Sequence, residues 1–185
     1  MMSLERFIFE MAAGTAIFLL LATAFALASE KHITKLEKLT RNRVLGLLIA
    51  LPALISCIPH AQIVAPGILQ NPLVLWFLAL AIPVLSYFYI DFYTARAIGG
   101  AMIILAYDVI HVAYEEALCG AAVLTVAAWL FGFAGIWMSG KPCALRDWFR
   151  LASKDKMFRF AATVISLVCA GVFVFTLVAR CGKLK

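Results

Sequence analysis

Asp108, His111 and Glu115 stand three and then four residues apart, a spacing that places all three on one face of a helix. Carboxylates and an imidazole so arranged can bind a divalent metal ion, hold a protonated or cationic solute, or pass protons from one group to the next. The segment that carries the first two, Ala97 to Tyr114, is otherwise apolar enough to lie in a bilayer. An aspartate at such a position costs roughly 2.5–3.5 kcal/mol on insertion scales, so its presence marks a functional position by default.

Six apolar runs of this kind position the chemistry: Phe7 to Ser29, Val44 to Val64, Leu73 to Ile90, Ala97 to Tyr114, Ala117 to Met138 and Phe158 to Ala179. Each is close to the ~20 residues that cross ~30 Å of hydrocarbon as a helix. Hydrophobic residues make up 65% of the 185, charged residues 14%, and the mean hydropathy is +1.00. That balance excludes a soluble domain. The longest stretches between spans, Glu30 to Arg43 and Ser139 to Met157, are too short to bury a core of their own. The expected fold is therefore all-α and polytopic, with residues 1–185 forming a single transmembrane helical domain.

The net charge of +6 points to lipid and not to nucleic acid, because the basic residues cluster by side. Lys31, Lys35, Lys38, Arg41, Arg43, Arg96, Lys141, Arg146, Arg150, Lys154, Lys156 and Arg159 fall at one end of the alternating spans. Only Arg6, Arg180, Lys183 and Lys185 fall at the other. The positive-inside rule then makes the basic loops cytoplasmic and puts both termini on the outer side, with anionic lipid as the partner of the basic surface. Phe25 to Ala28 followed by Ser29 resembles a signal-cleavage site, but Met1 to Arg6 carries no surplus positive charge and the apolar run is long. A retained first helix is expected.

Depth counting from Arg96 at ~1.5 Å per residue puts Asp108 ~18 Å, His111 ~22 Å and Glu115 ~28 Å across the membrane. His60, counted from Arg43, is ~26 Å across, and Glu10 also falls in the outer half. If spans one, two and four meet, Glu10, His60, Asp108, His111 and Glu115 converge on a pocket open to the outside. Asp108, His111 and Glu115 are then the candidate metal ligands, and Asp108, His111, His60 and Glu10 the candidate substrate-binding set.

Plainer readings compete. Glu116 is an interfacial residue, and Glu10, His60 and Glu115 near helix ends fit the same description, because charge is disfavoured mainly at the hydrocarbon centre. Asp108 and His111 fit a polar lock between helices, with Tyr107 or Tyr114 as partners. The stripe also stops halfway: towards the basic end the same face continues as Ile104, Ala101 and Ala97. A route through the inner half would have to use Tyr87, Asp91 and Thr94, which read better as an interfacial belt. No nucleophile elbow, zinc-protease motif or phosphate loop is present. Haem ligation by His60 and His111 is compatible with their similar depth.

Smaller features complete the pattern. Arg43-Val-Leu-Gly46, Arg96-Ala-Ile-Gly99 and Arg159-Phe-Ala-Ala162 suggest three helix pairs, although a basic residue opens most inward-starting helices. Pro142 breaks the chain before a short helix from Ala144 to Met157. Its Leu145, Trp148, Phe149 and Ala152 oppose Arg146, Arg150 and Lys154, as in a cytoplasmic interfacial helix. Glu30 to Asn42 either continues the first span or lies beside that element. Pro52 and Pro59 bend the second span and free carbonyls that need other donors. The cysteines form no metal or redox motif; Cys143 and Cys169 read as unpaired, while Cys57, Cys119 and Cys181 lie toward the outer side, where a disulfide is compatible.

The function these residues fit is non-enzymatic: a small transporter or binding protein with an outward-facing acidic and histidine pocket for a proton, a metal cation or a cationic solute. A structural or accessory subunit, or a homo-oligomer, is the rival, since Ala12, Ala13 and Ala16 suit helix assembly. A metal-dependent membrane enzyme is the third reading, and the implied cofactor in either metal case is a divalent ion.

Overall fold

Residues 4–64, 66–115 and 121–183 are described by the computed structural model and are helical nearly throughout. The helices are α1 (Leu4–Ala26), α2 (Ile33–Thr40), α3 (Arg43–Val64), α4 (Pro72–Tyr89), α5 (Tyr93–Glu115), α6 (Ala121–Gly140), α7 (Cys143–Lys154) and α8 (Lys156–Lys183). A 3-10 turn, Gly67–Gln70, precedes α4. Among the described residues six helices, all but α2 and α7, are long and apolar enough to cross a membrane. The protein is an all-α, multi-pass membrane protein with a short helix before its last span.

Local chemistry sets the helix ends. Asn42 accepts the amide protons of Val44 and Leu45 at the start of α3, and Asn71 accepts that of Leu73, with Pro72 in the first turn of α4. Asp155 accepts from the Met157 amide where α8 begins. These caps place the start of α8 earlier than Phe158. The first span stops at Ala26 and not at Ser29, because the backbone turns through Ala28 and Ser29, whose amides reach only the Phe25 and Leu27 carbonyls.

The most extensive helix contacts are α5 with α6 and α1 with α8, followed by α3 with α5 and α3 with α4. Between α5 and α6 the reason is glycine. A Cβ built on Gly99 would lie 2.7 Å from the Gly135 carbonyl oxygen, and one on Gly135 would lie 2.6 Å from that of Gly99. The two backbones touch, which is how helices gain packing where lipid offers no hydrophobic drive. Across the bundle, Phe18, Phe131 and Phe173 join α1, α6 and α8 with ring centroids 5.1, 5.6 and 5.9 Å apart.

The basic end is stitched by donors aimed at carbonyls. Arg43 at the start of α3 reaches the Phe88 carbonyl in the last turn of α4. Arg96 on α5 reaches Ser139 in the last turn of α6, and Arg159 on α8 reaches Ala28 just beyond α1. Each of these arginines thus reaches a carbonyl at the C-terminal end of a neighbouring helix, linking α3 to α4, α5 to α6 and α8 to α1. Between α4 and α5, Phe92 adopts φ 55°, a conformation that costs a bulky residue roughly 1–3 kcal/mol. The Arg41 and Arg146 guanidinium groups, 4.8 and 5.6 Å from its ring centroid, hold it there.

The segment after the first span is a separate helix, α2, lying beside α7. Glu37 of α2 accepts a hydrogen bond from Arg150 of α7. The apolar side of α7 faces the bundle: Leu145, Phe149 and Ala152 are buried, and Phe149 packs 5.0 Å from Phe25 of α1.

Two outcomes test this packing. Gly135→Val should lower the thermal midpoint by an amount corresponding to about 1–3 kcal/mol, whereas Gly171→Val, where an added Cβ meets nothing within 4 Å, should leave it unchanged. The Arg150 hydrogen bond and charge hold the Glu37 carboxyl below its ordinary value of 4.5. A depressed carboxylate stabilises the folded state at pH above that ordinary value and loses its contribution as pH falls through the lower native one. The protection factor of the α2 amides, taken relative to intrinsic exchange at each pH, should therefore fall on acidification below about pH 4.5, and in Glu37→Gln it should already be low at neutral pH and respond little to acid.

Candidate functional site

Side-chain hydroxyls inside the spans mostly serve their own helices. Thr15, Thr125, Ser166 and Thr176 each donate to the carbonyl one turn earlier, which satisfies them in lipid without linking helices. The His–carboxylate contacts among the described residues of the spans fall on α3 and α5.

His60 Nε2 lies 3.3 Å from Asp108 Oδ1. Asp108 is 1% exposed, flanked by the buried Val109 and Val112 of its own helix, and His60 is partly buried on α3 directly after Pro59. The aspartate thus turns from α5 towards α3. One turn further along α5, His111 Nε2 lies 3.2 Å from Glu115 Oε1. Tyr107 stands between the two pairs: its ring meets His60 edge-on at 4.9 Å and lies parallel to His111 at 5.7 Å. The result is a column running Asp108, His60, Tyr107, His111, Glu115, buried at its first member and half exposed at its last.

The sequence-derived set is therefore divided between two pairs. Asp108 and His60 form one across α3 and α5; His111 and Glu115 form the other along α5. Glu10 belongs to α1, and its side chain lies outside the described residues, as do Glu116, Cys119 and the side chain of Cys181. Among the described residues no group of three or more His, Cys, Asp or Glu side chains is placed to hold a metal ion. Cys143 and Cys169 carry thiols.

Helices α1, α3 and α5 do border a shared cavity of about 230 Å³, but its walls are apolar, with Ala13, Pro52, Ala101 and Ile104 among them. Ala97, Ala101 and Ile104 also line a second cavity of about 200 Å³ between α3, α4 and α5. Between Asp108 and Arg96, α5 thus presents Ile104, Ala101 and Ala97 to these cavities, with Tyr93 and Arg96 at the basic end of the second. Asp91 and Thr94 are engaged at the basic end, Asp91 with Arg43 at 3.9 Å and Thr94 with the Asn42 carbonyl.

Arg180 escaped the sequence reading as a tail residue. It belongs to α8, is 5% exposed, and its guanidinium sits 4.3 Å over the Phe7 ring of α1. The signal was present in the spacing: Phe173, Thr176 and Arg180, at i, i+3 and i+7, share the buried face of α8. No protein family, curated protein or solved structure matches this chain.

Proposed function

We propose that this is a small proton-carrying membrane protein in which the His60–Asp108 pair takes up a proton from the end of the bundle where Glu115 lies and passes it on towards the basic end. The observation that supports this reading is the 3.3 Å contact between an imidazole and a carboxyl group whose residue is 1% exposed, within two spans. Counted within the pair, an ionised Asp108 and a neutral His60 carry one negative charge, and one added proton makes the two groups neutral together, whichever of them holds it. Gain and loss of a proton is thus the change of state to which the pair is most sensitive. Histidine is the side chain suited to that exchange near neutral pH. His111 and Glu115 extend the polar path to the partly exposed end of α5. With the basic loops cytoplasmic, that end is the outer one.

A proton is the ligand that two such groups can hold by themselves, and among the described residues the two pairs stand apart from each other. The rival reading, in which the pair fastens α3 to α5, draws support from the apolar inner half of α5. A membrane-embedded side-chain contact of that kind contributes on average about 0.6 and at most about 1.7 kcal/mol.

Proteoliposomes with an entrapped pH dye separate the two. After an external acid step, the protein should speed internal acidification, and Asp108→Asn and His60→Gln should each reduce the rate at least about tenfold, within the range of a positioned acid–base group. Variants that fold and acidify as the parent does, while losing thermal stability equally at every pH, would establish the fastening role instead.

A further inference from the structure

A cavity of about 610 Å³ lies on the opposite side of the bundle from the His60–Asp108 pair, between α1, α6 and α8, with α7 closing its basic end. Its depth is formed by buried core residues, Phe18, Phe25 and Phe131 among them, and its sides by exposed residues of α6 and α8 such as Leu130, Ile165 and Val168. It therefore opens sideways into the hydrocarbon layer. Away from Trp148 at the basic end, the polar side chain among its lining residues is Ser166, whose hydroxyl is already donated to the Ala162 carbonyl.

An apolar cavity of ~150 Å³ stays dry and takes up apolar molecules; this one is about four times larger and its depth has no group to hold water. An alkyl chain matches such a lining. The charge beside it says which kind. At the basic end the lining includes Leu145 and Trp148 of α7 and Phe158 of α8. Lys154 ends α7 and Lys156 begins α8, two residues before Phe158. Both lysines are exposed. Asp155 between them is turned to the Met157 amide, and Arg150 and Arg159 are engaged by Glu37 and by the Ala28 carbonyl.

We infer that this cavity is a binding site for an anionic glycerophospholipid, with an acyl chain between α6 and α8 and its phosphate headgroup at Lys154 and Lys156. Basic pockets between spans select anionic headgroups in this way, each lysine near the surface strengthening binding about fivefold. Trp148 at the mouth supplies the amphipathic ring favoured at headgroup depth.

Purified protein in neutral detergent, supplied with equal phosphatidylglycerol and phosphatidylcholine, tests the site by native mass spectrometry and thermal unfolding. The protein should retain phosphatidylglycerol in preference to phosphatidylcholine and melt at higher temperature with it. Ala134→Trp or Ala161→Trp, each filling the cavity, should abolish retention of both lipids, whereas Val123→Trp, on exposed α6 surface away from the cavity lining, should not. Lys154→Gln with Lys156→Gln should leave phosphatidylcholine retention intact and lower the preference for phosphatidylglycerol roughly 25-fold. Equal retention of the two lipids by the parent protein would overturn the inference. So would retention by the cavity-filling variants at the parent level. If both tryptophan variants fail to fold, an unchanged headgroup preference in the double lysine variant overturns it.

Discussion

An aspartate carried into the hydrocarbon layer obliges the helix that bears it to be wrapped by neighbours. In α5, 61% of the most apolar window is buried, whereas the other five described spans range from 11% to 35%. The wrapping depends on small side chains. Gly99 admits α6 and Gly46 admits the start of α5: a Cβ on Gly46 would lie 2.8 Å from the Tyr93 ring. With α6 and α3 drawn onto opposite sides, Asp108 is screened from lipid, and the group it meets on the α3 side is His60. Loosening the glycine contact would expose the carboxyl to acyl chains, where it costs most.

Water-free surroundings also explain why the arginines are spent on carbonyls. The last four carbonyls of each helix lack partners within it, and near a membrane surface a long cationic side chain can reach them while its charge stays at the interface. Arg43, Arg96 and Arg159 each do this for the helix packed beside their own. The pairing is cyclic along the chain: α3 with α4, α5 with α6, and α8 with α1. The last pair is contributed by opposite ends of the sequence, so the first and last spans close the bundle together, and Arg180 packed on Phe7 repeats the attachment at the far end.

Much of the architecture was legible because a span announces itself by composition, and α7 by the two-sided distribution of Leu145, Phe149 and Ala152 against Arg146 and Arg150. Which surface the apolar side of α7 would meet was not legible. Periodicity tells that Phe149 avoids water, but it does not distinguish lipid from the Phe25 ring. The same ambiguity governed the site. Depth counting put His60 and Asp108 ~8 Å apart along the membrane normal, and only the crossing of α3 over α5 brings their side chains to 3.3 Å. The single stripe Asp108, His111, Glu115 was a correct statement about one helix. It could not foresee that Asp108 would turn to another helix while His111 turned to Glu115, because neighbours are chosen by packing and not by spacing on the helix itself.

The apolar inner half of α5 constrains what the column can do. In the proposed reading a proton reaches His60 and Asp108 from the Glu115 end, and beyond them it meets Ile104, Ala101 and Ala97. Onward passage to the basic end therefore requires α3 to shift against α5. Helix α3 is the span suited to that, since Pro52 and Pro59 each remove a backbone hydrogen bond from its interior. Cavities of about 230 and 510 Å³ both reach Pro52, which leaves room for the helix to move without displacing close-packed neighbours. His60 follows Pro59 directly, so a change of bend there would move the imidazole relative to Asp108. In the proposed reading, proton occupancy of the pair and the bend of α3 are therefore coupled: the bend that holds the imidazole closer to the carboxyl is the one that protonation of the pair would favour.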